Sequence, residues 1–328
     1  MGAQVKSATT IDEQLKLMAE RGMQVEDKLA RQWLSNISYY RLSGYSYPYR
    51  VSLPTDNPKK PKRDDRFIEG TSFSDVARLY EFDRKLRTLV YDGIERIEIA
   101  LRTRIGEWVV SHGPLAYQDS DLFRPDFGHV AWLDRAMGRV ERAKKSNAAI
   151  RHYSDNYDGY PFWVLAETLD FSDISKLYGG LPVPVQHEIS TAFGFKVDAT
   201  ALLARHKKKY YRQDDPLARW CEQLSIVRNV CAHHGRLFNR GFTPASTNVF
   251  RTIPGLSSLP RGQSESLYGA LLVIAFMLRG VSPGTTWTDK LIALIKSDYM
   301  PLRLRHVSEM GFPEDWETHL RMMMSGQE

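Results

Sequence analysis

A long amphipathic helix is predicted by the stretch SFSDVARLYEFDRKLRTLVYDGIERIEIALRTRIGEWVVS, residues Ser72–Ser111. Its apolar side chains recur at steps of three and four, which is the spacing of one helix face. Charged residues four apart in this stretch, such as Glu98 and Arg102, are expected to pair along the solvated face. Strand alternation is scarce, so the chain is predicted to be mainly α. Further helical patterns lie at about 10–22, 26–37, 129–147, 162–178, 184–193, 199–240, 264–280 and 286–297.

The length of the chain and its punctuation indicate how it is divided. Its 328 residues, 42% hydrophobic and 26% charged, are enough for about two globular units with ordinary cores. Five tyrosines crowd into residues 38–50, and this segment is expected to be irregular. The prolines and the Lys-Lys-Pro-Lys-Arg cluster of Pro54–Arg66 predict an exposed loop and a boundary. We therefore expect an N-terminal helical and irregular region over 1–66, a helical domain over 67–250 and C-terminal helices over 251–328.

Charge, cysteines and hydropathy limit the classes of protein and the compartment. The formal net charge of +6 permits a polyanionic partner without requiring one. Cys221 and Cys231 form no Cys-x-x-Cys pair, which favours reduced cytosolic thiols. The polar N-terminus lacks the apolar core of a secretory signal, and the apolar run Leu267–Leu278 is too short to cross a membrane. A cytoplasmic protein without a membrane partner is expected, and the run is read as a buried helix.

The segment LARWCEQLSIVRNVCAHHGRLFNR, Leu217–Arg240, carries the most distinctive chemistry. Placed round a helix, it separates into an apolar side and a polar stripe on which Asn229 and His233 lie one turn apart. His234 falls on the apolar side and is expected to pack in the core. A solvated polar face is the ordinary interpretation of such a stripe.

The composition of this stripe favours chemistry with phosphates. An imidazole such as that of His233 can act as general acid or base near neutral pH. The planar guanidinium of Arg228 can match two phosphate oxygens and stabilise developing negative charge. Asn229 could orient the imidazole or donate to a phosphate oxygen. No metal-ligand spacing and no Walker loop accompany these residues, so no metal or cofactor is expected. The set fits metal-independent RNA cleavage, in which a 2′-OH attacks the adjacent phosphate.

Several blocks of the sequence resemble a known family. Arg-Asn-Val-Cys-Ala-His, 228–233, resembles the Arg-x4-His motif of the HEPN superfamily of ribonucleases in its Arg-Asn form. Its wider context, 228–240, is similar to the Abi-like family of bacterial abortive-infection (phage-defence) proteins, which contains the AbiD and AbiF types. Three further blocks agree in order, and the likeness spans about residues 10–245. They are YYRLSGY at 39–45, LYEFDRKLR at 79–87 with IERIE at 94–98, and DISKLY at 173–178.

This resemblance implies both a fold and an activity. It implies a HEPN-type helical bundle and a metal-free endoribonuclease that leaves 2′,3′-cyclic phosphates. It makes Arg228 and His233 catalytic, with Asn229 as the polar second residue of the motif. A structured RNA is a further expected partner. Because HEPN sites are commonly built from two facing motifs and this chain has one, the resemblance also implies a homodimer with a composite site.

Cations and aromatic rings elsewhere in the chain are candidates for RNA contacts, because they can neutralise phosphates and stack on unpaired bases. A plain basic helix surface is an equally good interpretation of the main segment, and tyrosine packing is favoured for Tyr39–Tyr49. The alternatives to an enzyme that cuts RNA are a non-catalytic RNA-binding protein of a defence or toxin–antitoxin complex, and an enzyme that modifies nucleotides or RNA. The candidates are Arg205, Lys207, Lys208, Lys209, Tyr210, Tyr211 and Arg212, with Arg236 and Arg240 beside the motif.

Overall fold

The protein is mainly helical, as predicted. The computed structural model describes residues 5, 7–56, 62–213 and 215–325, and within them there are fourteen α-helices and four short strands. The chain divides into two compact units, Met1–Leu86 with Ala293–Glu309, and Arg87–Ile292 with Met310–Glu328. These bounds differ from the three predicted regions, because helix α4 (Phe73–Ser111) contributes residues to both units and residues 293–309 belong to the first.

The first unit begins with capped helices. Thr10 caps the first helix, since its hydroxyl accepts from the Glu13 backbone N–H and its own N–H donates to the Glu13 carboxylate at 2.7 Å. The elements of this unit, besides the start of α4, are α1 (Ile11–Glu20), α2 (Asp27–Asn36), α3 (Tyr39–Ser46), β1 (Arg50–Leu53) and β2 (Lys62–Phe67).

The tyrosine-rich segment is helical, so the prediction that it is irregular is wrong. The Ser38 hydroxyl caps α3 by accepting from the Arg41 backbone N–H, and a 3-10 turn follows over Tyr47–Tyr49. Tyr45 and Tyr49 are buried, and the Tyr45 hydroxyl donates to the Asp83 carboxylate at 2.7 Å. Burial of one face of the helix outweighs the weak helix propensity of tyrosine.

The predicted loop over Pro54–Arg66 is in part a hairpin. Strands β1 and β2 pair antiparallel with a bulge, and Arg50 ion-pairs with Asp65 at 2.7 Å. Lys62–Arg66 therefore belong to a strand, contrary to the prediction. Lys59, Lys60 and Pro61 lie outside the described residues.

The second unit holds the motif segment and a core of packed helices. Helix α11 packs against α8, α12 and β3, and the apolar run Leu267–Leu278 is a buried helix, as predicted. In the described part of the chain no helix is long and apolar enough to cross a membrane. The elements from α5 onward are α5 (His129–Ala143), α6 (Ala148–Asn156), α7 (Phe162–Ala166), α8 (Phe171–Gly180), α9 (Val183–Ala192), α10 (Ala204–Arg212), α11 (Pro216–Ala232), β3 (Ala245–Ser246), β4 (Gln263–Ser264), α12 (Leu267–Val281), α13 (Trp287–Leu294) and α14 (Trp316–Ser325).

Two predicted helices are broken by capping residues. The helix expected over 199–240 is two helices, because Pro216 disfavours helical backbone at Asp215. The Asp215 carboxylate accepts from the Leu217 backbone N–H at 2.8 Å and starts α11 afresh. The helix expected over 162–178 is also interrupted, since Asp170 and Asp173 form a capping box that begins α8.

Candidate functional site

The last turn of α11 sets the position of the motif histidine. The helix ends at Ala232, and His233 is its C-cap, with its backbone N–H donating to the Asn229 carbonyl at 3.0 Å. His234 has a φ of 56°, and the N–H groups of His234 and Gly235 return to the carbonyls of Cys231 and Val230 at 3.1 and 2.8 Å. This pattern is a Schellman motif, in which the residue after the C-cap adopts the left-handed conformation. His233 therefore lies at a fixed helix terminus.

The prediction that His234 packs in the core is wrong. Both His233 and His234 are exposed. The helical wheel that placed His234 on the apolar side assumes about 100° of rotation per residue, and this regularity ends at Ala232. The left-handed backbone of His234 turns the chain away from the helix axis.

Arg228 lies against the central part of helix α4. Its guanidinium carbon is 5.5 Å from the centre of the Tyr91 ring, within the range of a cation–π contact. Its Nε is 3.8 Å from the Glu98 carboxylate, and its Nη1 donates to Asn229 Oδ1 at 3.4 Å. The side chain keeps 25% of its surface exposed, so the guanidinium is held on one side and open on another.

One face of α4 supports the motif turn. Arg87, 5% exposed, donates through Nη1 to the Gly235 carbonyl at 3.3 Å. Tyr91 and Glu98 follow it at intervals of four and seven residues, which places all three on the same side of the helix. Arg87 and Tyr91 are not among the predicted site residues. Their spacing of four residues places them on one face of α4, the helix that carries the family-like blocks at 79–87 and 94–98.

The predicted pair of Glu98 with Arg102 is present, but the prediction that it lies on a solvated face is wrong, because Glu98 is buried beneath Arg228. Glu98 is 8% exposed, and its carboxylate accepts a hydrogen bond from Arg102 Nη2 at 2.9 Å. Burial raises the pKa of Glu98, while the nearby charges of Arg102 and Arg228 act in the opposite direction. Arg102 also donates to the Leu169 carbonyl at 3.0 Å, which ties α4 to the segment before α8.

A second charged cluster continues from this point at the start of α8. Arg139 of α5 forms ion pairs with both Asp170 and Asp173. Burial and the neighbouring charge of Asp170 raise the pKa of Asp173, and the charge of Asp170 also acts to raise the pKa of Glu98. Arg135 lies 3.9 Å from Asp173, so both of these arginines of α5 are engaged within the protein.

The structure brings some of the predicted motif residues into contact and leaves others apart. Arg228 and Asn229 touch through their side chains, and His233 is joined to Asn229 through the backbone. The guanidinium of Arg236 lies 5.9 Å from the centre of the Phe238 ring, and Arg240 is exposed. The imidazole of His233 is exposed at the end of α11, three residues before Arg236 and seven before Arg240 in the sequence.

Helix α10 carries the predicted RNA-binding segment. Its basic residues Arg205, Lys207, Lys208, Lys209 and Arg212 are exposed. The two tyrosines differ, since Tyr210 is buried and stacks on His187 with ring centres 4.1 Å apart, whereas Tyr211 is 55% exposed. Of the two rings, only Tyr211 is open to a base.

A model of the Abi-like protein family matches residues 32–239. The chain belongs to the Abi-like family. Membership in this family suggests a role in abortive infection, a form of phage defence. No curated protein and no solved structure matched the chain.

The Abi-like region contains every contact of the motif turn described above. It begins within α2, includes the whole of α4 and α11, and ends four residues after Gly235. Arg87, Tyr91 and Glu98 thus lie in the same family region as Arg228 and His233. Within the described residues of this Abi-like protein, no three His, Cys, Asp or Glu side chains are grouped to hold a metal ion.

Proposed function

We propose that this Abi-like protein is a metal-independent endoribonuclease of the HEPN type that acts in the cytoplasm during abortive infection. The observation that carries the proposal is the geometry at the end of α11. There the backbone of His233 is fixed as the C-cap of α11 and its imidazole is exposed. Five residues earlier, the guanidinium of Arg228 is held against Tyr91 and Glu98. A proton-transfer group and a phosphate-binding cation are the two groups that RNA cleavage of this kind needs.

The proposed reaction is an internal transfer at phosphorus. The ribose 2′-oxygen attacks the adjacent phosphate while its proton passes to a base. The bond from phosphorus to the 5′-oxygen then breaks, and that oxygen takes up a proton. The products are a 2′,3′-cyclic phosphate and a 5′-hydroxyl. His233 serves as one of the two proton-transfer groups.

Arg228 is proposed to stabilise the negative charge that builds up on the phosphate oxygens. The Tyr91 ring and the Glu98 carboxylate hold its guanidinium in one orientation, which lowers the cost of ordering it when the phosphate binds. Asn229 accepts a hydrogen bond from Arg228 and so helps to fix the position of the guanidinium.

A homodimer with a composite site is part of the proposal. The chain carries one Arg-x4-His motif of the Arg-Asn form, with one motif histidine, whereas the reaction needs a base for the 2′-hydroxyl and an acid for the 5′-oxygen. A second copy of the chain, related by a two-fold axis, would supply the second histidine for the other proton transfer.

A non-catalytic RNA-binding protein is the second candidate. The observation in its favour is that the exposed cations of α10 do not depend on the motif turn for their position. Such a protein would bind RNA through this surface and leave it intact.

RNA cleavage in EDTA by purified wild type, His233→Ala and His234→Ala tests the proposal. We expect His233→Ala to lower the rate by roughly 10²–10⁴-fold, the usual contribution of an acid–base group. His234→Ala is the matched control, because it removes an adjacent exposed imidazole, and it should retain most of the activity. Product ends should be cyclic phosphates for wild type. Equal loss in both variants, or normal cleavage by His233→Ala, would contradict the mechanism.

A further inference from the structure

A basic cavity of about 740 Å³ lies between the start of α10 and residues 248–262. Arg205, Arg251 and Arg261 line it together with His206 and Asn248, and none of its described lining residues is acidic. Its volume is within the range of cavities that bind ligands, about 300–1,000 Å³. Three guanidinium groups around one opening favour an occupant that carries phosphates.

Two of these arginines are available to a ligand. Arg205 and Arg261 are exposed, so their side chains face solvent. Arg251 is half-buried, and its Nη1 donates to the Leu259 carbonyl, which fixes the position of its guanidinium. The cavity thus combines one anchored cation with two cations that face solvent.

Two smaller cavities adjoin this one in the direction of α11. A second cavity, of about 190 Å³, shares His206 and Asn248 with the first, and these side chains lie 3.3 Å apart. A third, of about 340 Å³, shares Arg219 with the second. Because each adjoining pair has lining residues in common, the three cavities are neighbours on the surface, and we call this row of cavities the α11 groove.

The α11 groove leads towards the motif turn. Its third cavity is lined by Ser225 together with Asp126 and Glu222, and Asp215 lines the second. Asn229 is four residues beyond Ser225, so it lies on the same helix face one turn later. From Arg219 to Asn229 the helix rises about 15 Å. Glu222 is neutralised there by Arg219, whose Nη1 lies 2.8 Å from its carboxylate.

We propose that the α11 groove binds a single strand of RNA, with Arg205, Arg251 and Arg261 holding phosphates several nucleotides away from the cleaved bond. The inference rests on the proposed function and deepens it by naming the path of the substrate. Cations beside apolar walls suit unpaired nucleotides, because they can contact both phosphates and bases, whereas duplex RNA is bound mainly across its wide minor groove. The exposed Tyr211 ring on α10 is a surface on which a base could stack.

The test compares RNA binding by two double variants in a His233→Ala background, which separates binding from cleavage. Arg205→Ala/Arg261→Ala removes the two open cations of the groove. Arg142→Ala/Lys145→Ala is the matched control. It removes two exposed cations from the last turn of α5 and the residues just after it. Fluorescence anisotropy with labelled single-stranded RNAs of twelve and four nucleotides gives Kd at several salt concentrations.

The expected effect follows from the release of counterions. Each phosphate contact to single-stranded nucleic acid contributes about 0.7 to the slope of log K against log salt, so the loss of two contacts lowers the slope by about 1.4. At 0.1 M salt this change corresponds to about a 25-fold weaker Kd for the twelve-nucleotide RNA. The four-nucleotide RNA can also bind at the motif end of the groove without the arginines, so its affinity should fall by a smaller factor.

Three results would refute the proposal that single-stranded RNA binds in the α11 groove. They are an unchanged slope for the long RNA, an equal loss for the short RNA, and an equal loss in the control variant. Tight binding of a free mononucleotide that Arg205→Ala/Arg261→Ala abolishes, with long RNA unaffected, would also overturn it. Failure of the proposed function is seen separately, since wild type that does not cleave RNA can still show the expected change in slope. Normal cleavage with an unchanged slope removes the groove alone.

Discussion

Replacing His234 with glycine should make the protein more stable by about 1 kcal/mol. His234 has a φ of 56°, in the left-handed region, where an L-residue pays roughly 1–2 kcal/mol for the clash of its Cβ with the backbone. Glycine has no Cβ and is the usual residue after a helix C-cap. Part of the gain is offset because glycine gives the unfolded chain more conformational freedom.

The neighbouring substitution, His233→Gly, is the matched control. His233 has a φ of −92°, which any residue adopts without strain. Glycine therefore relieves nothing at this position, and the added freedom of the unfolded chain should cost about 0.5–1 kcal/mol. Two identical substitutions at adjacent exposed histidines are thus expected to change the free energy of unfolding in opposite directions.

Urea unfolding followed by tryptophan fluorescence measures both effects. With a denaturant dependence of about 2 kcal/mol per molar, the midpoint should rise by about 0.5 M for His234→Gly and fall by about 0.3–0.5 M for His233→Gly. In the RNA cleavage assay, His234→Gly should keep its activity and His233→Gly should lose it. If both variants lowered the midpoint by similar amounts, the left-handed turn after α11 would be refuted.

Two further predictions concern the buried interior. Burial raises the pKa of Glu98, so the folded state keeps the carboxyl proton up to a higher pH than the unfolded state does. The stability that this proton contributes is present below pH 4.5 and is lost as the pH rises through the raised pKa. Relative to Glu98→Gln, wild type should thus lose stability as the pH is raised above 4.5 in urea titrations, and a constant difference would contradict the burial argument. Gly93→Ala should destabilise by about 1–3 kcal/mol, because the new Cβ would lie 2.8 Å from Nε1 of the buried Trp287. Gly138→Ala, in a helix with nothing within 4 Å of the added carbon, should instead stabilise by about 0.5–1 kcal/mol, and thermal melting that ranked the two variants alike would show that the space around them was misjudged.

Local patterns in the sequence predicted much of the fold. The spacing of apolar residues in Ser72–Ser111 identified α4, and the uniform apolar character of Leu267–Leu278 identified a buried helix. The helical pattern that begins at about residue 10 identified α1, whose capping partners Thr10 and Glu13 are three residues apart. In each of these cases the interaction that determines the structure lies within a few residues along the chain.

The candidate site depends on contacts that are distant in sequence, and these could not be predicted. The Glu98 carboxylate meets Arg228 across 130 positions, and a helical wheel of α4 alone places it on a charged face. The C-cap at His233 was missed for a different reason. The stop signal expected after a helix is glycine, and here the left-handed position is occupied by His234, one residue before Gly235.

The burial of Glu98 under Arg228 also restricts how the family can evolve. A neutral residue at position 228 would leave the carboxylate with Arg102 as its nearest cation, and a neutral residue at 98 would leave two guanidinium groups close together. Either step alone is costly, and the arginine cannot be given up without losing the proposed phosphate contact. In an alignment of Abi-like proteins, position 98 should therefore stay acidic wherever position 228 is arginine, even though the two lie on different helices.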